Sequence, residues 1–391
     1  MYARRGLVLL IVLVAALAAC AAPPAAPSAT GGAAAPGASA AARPASAAAA
    51  ASDGWEAEWA QVLAAAKREG VVVVMGPPGD SIRTALTEFQ RAYPDIRLEY
   101  SGAFQQEWSP RMLAEREAGQ FLWDVHIGGT GSPATQWAPK GVLDPLKPAL
   151  VRPEVLDDSN WLNGFDWGFI DAAQQHVFAP AANLNYSINV NRDVIPAGEL
   201  TTVDDLLDPR YKGKISINEP REFSAGALHS AVLSQALGAD RFRRVLAEQD
   251  VSVHRDTRQQ VELLVRGARP IAIGASTPQL TEFKKQGLGL NVRPLELTEA
   301  SAISPGNAGC ACLMNRAPHP NAARVYLDWF LSREGQAAWN KGGATNSRRL
   351  DVEPADAATM PKPGVDYLYI EREQNLHLRA AAMELAKEAL P

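Results

Sequence analysis

The chain has 391 residues, with 38 Lys and Arg against 43 Asp and Glu and a formal net charge of −5. That balance argues against a nucleic-acid surface and leaves no basic patch for an anionic membrane. From Asp53 onward the length suffices for a large core, divided between two lobes.

Arg4 and Arg5 precede an unbroken apolar stretch, Leu7 to Ala19. As a helix it would span roughly 20 Å, too short for a hydrocarbon core of about 30 Å, so it reads as a cleaved secretory leader. It ends Leu17-Ala18-Ala19-Cys20. Small residues ahead of a cysteine resemble the lipobox of bacterial lipoproteins. The resemblance implies a signal peptide over 1–20, lipidation of Cys20, and an extracytoplasmic, membrane-anchored remainder. Ala21 to Ser52 is nearly all Ala, Pro, Gly and Ser, with Arg43 its only charge. Such a composition cannot bury enough apolar surface to order itself, so 21–52 reads as a disordered tether spanning on the order of 30 Å.

The first helix carries a capping-box pattern at Asp53 and Glu56, an apolar stripe at Trp55, Trp59, Val62, Leu63 and Ala66, and a stop at Gly70. Val71 to Met75 reads as a buried strand, broken by Gly76-Pro77-Pro78-Gly79 and followed by a helix from Asp80 to about Ala92. A strand over Ile96–Tyr100, a helix over Gln105–Glu117 and a strand over Asp124–Ile127 follow, the last running into Gly128-Gly129-Thr130-Gly131. This alternation predicts a parallel sheet wrapped by helices. His176–Ala179 and Leu184–Val190 read as strands leading out of this lobe. Gly213–Asn218, Val251–His254 and Pro270–Gly274 read as strands of a second lobe, with helices between them. Leu290–Leu297 and Cys310–Met314 lead back, and Pro320–Leu331 and Tyr367–Leu385 read as amphipathic helices.

The fold class is therefore α/β, a two-lobed clamp in which each lobe is a mainly parallel sheet with flanking helices. The expected division is 53–182 and 302–350 for lobe one, 183–301 for lobe two, and a C-terminal helical segment, 351–391, assigned to neither. Hinged lobes of this kind close around a ligand. Cys310 and Cys312, two apart in a strand, point to one face and are read as buried core thiols, with a disulfide, a redox pair or half a metal site as the alternatives.

Several segments resemble the extracellular solute-binding proteins of ABC importers, in the branch containing ferric-ion binding proteins. They are Leu207-Asp208-Pro209-Arg210-Tyr211-Lys212-Gly213-Lys214-Ile215, Pro318-His319-Pro320-Asn321-Ala322-Ala323, and Trp329-Phe330-Leu331-Ser332-Arg333-Glu334-Gly335-Gln336. The order of elements fits that family over nearly all of residues 55 to 345. The resemblance implies a type II periplasmic-binding-protein-like clamp, a small-molecule ligand, and permease and ATPase subunits on separate chains. The iron-binding members carry a Tyr-Tyr pair after the strand leaving the second lobe. This chain has Ile271-Ala272-Ile273-Gly274-Ala275-Ser276-Thr277-Pro278 there. Hydroxyls of Ser276 and Thr277 do not ionise as phenols do, so a bare ferric site is not expected. A ferric ion or ferric chelate stays as the alternative ligand.

In open α/β sheets ligands lie beyond the carboxyl ends of strands. The candidate contacts there are Gly76, Pro77, Gly79 and Asp80 in the first loop, which opens a helix, and Gly129 and Thr130 after the third strand. The second lobe offers Ser224, Ala225 and Gly226, which resemble the Ser-Gly-Ala anion turn of the iron-binding relatives with Ala and Gly exchanged. It also offers Arg255, able to pair a carboxylate or phosphate bidentately, Thr257 near an anion-contacting position of those relatives, and Ser276 and Thr277. Asn185 and Tyr186 lie on the crossover.

The six histidines are scattered, and no HExxH, GxSxG or GxGxxG motif occurs. The expected role is a monomeric, lipid-anchored binding protein for a small anionic organic solute, without cofactor, resident metal or catalytic residue. An extracytoplasmic hydrolase on the same frame and a sensor subunit are the rivals.

Overall fold

The computed structural model describes residues 46–222, 224–306 and 309–390, except the side chains of 46–53 and of Gln106. The expected leader, Cys20 and the tether as far as residue 45 lie outside the described residues. The chain opens with α1 (Ser46–Glu69), β1 (Val71–Gly76), α2 (Asp80–Ala92), β2 (Arg97–Gly102), α3 (Gln105–Glu117) and β3 (Val125–Gly128). β4 (Leu143–Asp144) and a single turn, α4 (Pro153–Leu156), follow, then β5 (Asn183–Tyr186) and β6 (Ile188–Asn191). Next come β7 (Ile215–Asn218), α5 (Ala225–Leu237), α6 (Ala239–Glu248), β8 (Ser252–His254), α7 (Thr257–Val265), β9 (Ile271–Ile273), α8 (Thr277–Lys285) and β10 (Val292–Pro294). The return comprises β11 (Ser301–Ser304), β12 (Cys310–Met314), α9 (Pro320–Leu331), α10 (Arg333–Gly343), β13 (Leu368–Tyr369) and α11 (Leu376–Ala389).

Two five-stranded sheets carry the lobes. The first has the order β2-β1-β3-β12-β4 and the second β10-β6-β9-β7-β8. In each, a parallel trio meets one strand of opposite sense, β12 or β6, which pairs antiparallel on both sides. A third sheet, β13-β11-β5, stands where the chain crosses between the lobes. Alternation along the first sheet places Val72, Val74, Val125 and Ile127 in a core with Phe89, Tyr326 and Trp329. Met75, Cys310 and Cys312 face the other way, among Trp108 and Trp137. The second sheet buries Ile188, Val190, Ile215 and Ile217 against α5 and α6.

Four expectations are corrected. The first helix begins at Ser46, ahead of Asp53, because Ala47 to Ala51 are strong helix formers that continue it upstream of the capping pattern. Leu184–Val190 is two strands: the chain changes sheets at buried Ser187, whose N–H bonds to Ala300 O. His176–Ala179 makes only bridges, Phe178 to Phe169 and to Ala311. Tyr367–Leu385 is not one helix, since Leu368–Tyr369 pairs with β11 and the helix starts at Leu376.

Cys310 and Cys312 are buried free thiols with their Sγ atoms 3.6 Å apart. Asp124, at the foot of β3, is also buried: its carboxylate accepts from Val73 N at 2.7 Å and His319 N at 2.8 Å, tying β1 to the entry of α9. Burial raises its pKa against those bonds.

Candidate functional site

Beyond the carboxyl ends of β1, β2 and β3 lies a cavity of about 580 Å³. Its walls are the β1–α2 loop, the Ala103–Gln105 segment, Gly128 and Gly129, and the end of α10 at Gly342–Ala344. Phe104 stands 57% exposed at the rim, whereas Trp108 and His126 are buried below it. Among the described residues no Asp, Glu, Lys or Arg lines this cavity.

The local chemistry explains how these segments are held. Tyr100 donates its hydroxyl to Pro77 O, fixing the first loop, and burial raises its pKa so that the phenol stays protonated and donating. Gln105 Nε2 donates to Gly129 O at 3.0 Å, joining the second and third loops. Gly342 lets α10 touch α2, because a Cβ there would lie 2.5 Å from Ala85 Cβ and 2.6 Å from Ser81 O. Neither α2 nor α3 has a side-chain hydrogen bond capping its N-terminus, and both helices begin at this cavity. Uncapped helix starts present backbone N–H groups and the positive end of the dipole.

His126 Nε2 lies 3.3 Å from Gly129 O, and Cys310 Sγ reaches the same carbonyl at 3.5 Å. Burial opposes ionisation of Cys310, yet bonds from Cys312 and His126 pull its thiol below the usual value; burial and its neighbour push Cys312 well above.

The structure brings Pro77, Gly79 and Gly129 together in this cavity. Gly76 is buried beneath the first loop, and Asp80 is exposed at the start of α2 without lining the cavity. Thr130 is buried and donates to Glu371 Oε2 at 3.2 Å, and Glu371 in turn pairs with Arg379 at 3.2 Å. On the crossover, Asn185 Nδ2 bonds Asn183 O at 3.1 Å and Tyr186 reaches Ala358 O at 3.3 Å.

The second-lobe candidates lie outside the cavity. Phe223 is not among the described residues. Ser224 caps α5, its Oγ accepting from Ala227 N at 3.2 Å while donating to Glu219 O. Ala225 is exposed in the first turn, and Gly226 is buried, its N–H donating to Asn218 Oδ1 at 3.1 Å. Gly226 permits that approach, since a Cβ would stand 2.0 Å from Asn218 O. Arg255 pairs with Glu222 at 2.6 Å and Glu219 at 3.6 Å. Arg221 also bonds Glu219 and holds that carboxyl below its ordinary range against partial burial. Asp256 caps α7 ahead of Thr257. Ser276 caps α8 and Thr277 is exposed behind it. The starts of α5, α7 and α8 in this lobe are thus capped by their own side chains, unlike those of α2 and α3.

Sequence reasoning passed over Phe104, Gln105, Trp108, His126 and Gly342–Ala344. The readable signal for His126 was a polar residue at the centre of an otherwise apolar strand.

Among the described residues no group of three or more His, Cys, Asp and Glu side chains is disposed to hold a metal ion. No helix among them is long and apolar enough to cross a membrane.

The chain is similar over most of its length to solved structures of two-lobed binding proteins. A ferric binding protein of Bordetella superposes with a TM-score of 0.62 at 18% identity, covering 82% of this chain and 98% of that one. Ferric iron-binding protein A of Mannheimia haemolytica, in an open conformation, gives 0.60 at 16%, covering 82% and 98%. A Trichodesmium protein in complex with iron and citrate gives 0.59 at 17%, covering 82% and 99%. An uncharacterized protein of Haemophilus influenzae is 25% identical over 234 residues, which are 58% of this chain and 64% of that protein, under two thirds of its length. The family model for bacterial extracellular solute-binding proteins matches residues 148–369. With more than half of its residues matched by that model and its sheets in the same two-lobed arrangement, the chain belongs to the bacterial extracellular solute-binding protein family.

Proposed function

We propose that this chain is the lipid-anchored receptor of an ABC importer, tethered through Cys20, and that it captures a small anionic organic solute. The observation that carries the reading is the pair of uncapped helix starts, α2 and α3, at one cavity with no charged side chain among its described lining residues. An oxyanion is satisfied there by backbone N–H groups and helix dipoles, without a metal. Phe104 and Trp108 would cover the organic part. Closure about the crossover sheet would bring the second-lobe hydroxyls of Ser224, Ser276 and Thr277 over the ligand, so the closed form gains contacts the open form lacks. The role is binding, not catalysis, as in a neighbour of similar fold (TM-score 0.53), the substrate-binding protein of an ABC transporter from Agrobacterium tumefaciens.

A ferric chelate is the second reading, favoured by the similar fold of the Trichodesmium protein with iron and citrate. A chelate brings its own hard donors and would ask of this site only anion contacts.

A thermal-unfolding screen of the purified protein separates the two. Carboxylates, sugar phosphates, phosphonates, ferric citrate and ferric salt are compared, and a ligand at a hundredfold its Kd adds about 2.7 kcal/mol. Stabilisation by metal-free anions supports the first reading, and stabilisation by ferric citrate but not citrate supports the second. A response to ferric salt alone refutes both.

A further inference from the structure

Two side chains of the cavity commit their donors to one carbonyl. Gln105 Nε2 donates to Gly129 O at 3.0 Å, and His126 Nε2 lies 3.3 Å from the same atom. A carbonyl oxygen only accepts, so Nε2 carries the imidazole proton, and in the neutral ring Nδ1 is a lone-pair acceptor. That Nδ1 is buried and has no hydrogen-bond partner. The ring lines the cavity beside Gly128, where a Cβ would stand 3.1 Å from Cε1, the carbon bonded to Nδ1. Glycine at 128 therefore adds no side chain over that edge of the ring. Gln105 is placed in a similar way. With its N–H given to Gly129 O, Oε1 remains to accept, and a Cβ on Gly129 would stand 2.5 Å from it.

The cavity thus offers two kinds of contact. Backbone N–H groups at the starts of α2 and α3 suit an oxyanion, and the two side-chain acceptors suit a donor. Among the described lining residues there is no carboxylate, so a donor that brings a positive charge would leave water without a counter-charge. A neutral hydroxyl meets both acceptors without that cost. We infer that the solute is a hydroxylated oxyanion, a hydroxy acid or a sugar phosphate, whose hydroxyl groups donate to His126 Nδ1 and Gln105 Oε1. The inference rests on the anion reading above and narrows it from charge to functional group. His126 supplies the selectivity. A solute without the hydroxyl leaves Nδ1 unpaired, whereas one that bears it satisfies an acceptor buried from water.

The test is calorimetry on the full chain at about pH 8, where imidazole is neutral, with two matched series. The first is malate, succinate and aspartate; the second is glycerol 3-phosphate, propyl phosphate and phosphoethanolamine. In one series or both, the hydroxylated member is expected to bind about tenfold more tightly than its deoxy and amino counterparts, and the series that responds tells carboxylate from phosphate. His126→Phe keeps an aromatic ring between Trp108 and Trp137 and is expected to bring the three members of that series to equal affinity. Should the variant fail to fold, nitrogen NMR of the parent replaces it: the lone-pair signal of His126 Nδ1 is expected to shift on adding the hydroxylated member and not the deoxy one. Equal binding within a responding series, preference for the amino member, selectivity retained by a folded variant, or an unmoved Nδ1 signal would overturn the inference and leave the anion reading standing. The same holds if neither series binds while the unfolding screen finds a hydroxyl-free anion that does. If no metal-free anion binds in either experiment, both readings fall.

Discussion

Consider His229, buried on α5, with Nδ1 3.1 Å from Ser187 Oγ and the Arg379 guanidinium close enough to oppose a second positive charge. Burial, seconded by Arg379, lowers its pKa from 6.5 to about 4. The folded protein thus keeps a neutral imidazole at a pH where the unfolded chain already binds a proton. Its stability contribution is complete above the unfolded value and is lost as pH falls through the folded one. At 1.36 kcal/mol per pH unit, the fall from 6.5 to about 4 amounts to about 3 kcal/mol. His229→Gln keeps a polar group near Ser187 and removes the titration. Urea unfolding followed by tryptophan fluorescence, from pH 8 down to pH 4, gives the difference between parent and variant at each pH. Groups unchanged by the substitution titrate in both proteins and cancel. The parent should lose about 3 kcal/mol relative to the variant, nearly all of it below pH 6.5. A difference that does not vary with pH refutes the reasoning.

Asp328 has the opposite sign: burial raises its carboxyl to about 7 although Val151 N and Arg152 N donate to it. Its folded form holds a proton the unfolded chain has released, so stability should fall as pH climbs from about 4 through 7. Asp328→Asn should remove up to about 4 kcal/mol of that decline in the same unfolding series. Gly226→Ala places a methyl 2.0 Å from Asn218 O and should cost about 3 kcal/mol, measured as a lowered urea midpoint. Phe104→Ala, at an exposed rim position, should leave the Tm unchanged while weakening binding of the solute found by the screen about tenfold in calorimetry.

How legible was this in the sequence? The alternation of apolar strands and helices from Val71 to Ile127 placed α2 and α3 to the residue, because Gly79 and Asp80 mark the start of α2 and Glu107 gives α3 an acidic first turn. Ser187 was not legible as a change of sheet: the run from Leu184 to Val190 alternates smoothly, and only the pairing of Ser187 N with Ala300 O breaks it. Leu368–Tyr369 reads like the start of an amphipathic helix until β11 offers its edge. In the candidate site, Pro77, Gly79 and Gly129 were readable from local loop chemistry. Gly342–Ala344 were not, because they reach the cavity only through the packing of α10 on α2, more than two hundred residues away in sequence. Ser224 and Thr257 read as lying at helix starts and Ser276 and Thr277 only as following a strand, and the capping bonds depend on side-chain rotamers that sequence does not display.

The tail of the chain bears on how the clamp can move. Glu373 anchors to Ala172 N at 2.7 Å, while Arg243 reaches Glu388 at 3.2 Å and Ala386 and Leu390 enter the core of the second sheet. With β5 and β11, this segment makes a third span between the halves, side by side in one small sheet. Two cords permit swinging and wringing alike, whereas three laid edge to edge as a ribbon resist torsion and leave a single fold line. A jaw guided along one arc would meet a guest in the same orientation at every closing, as the proposed recognition by backbone groups that cannot re-aim themselves requires.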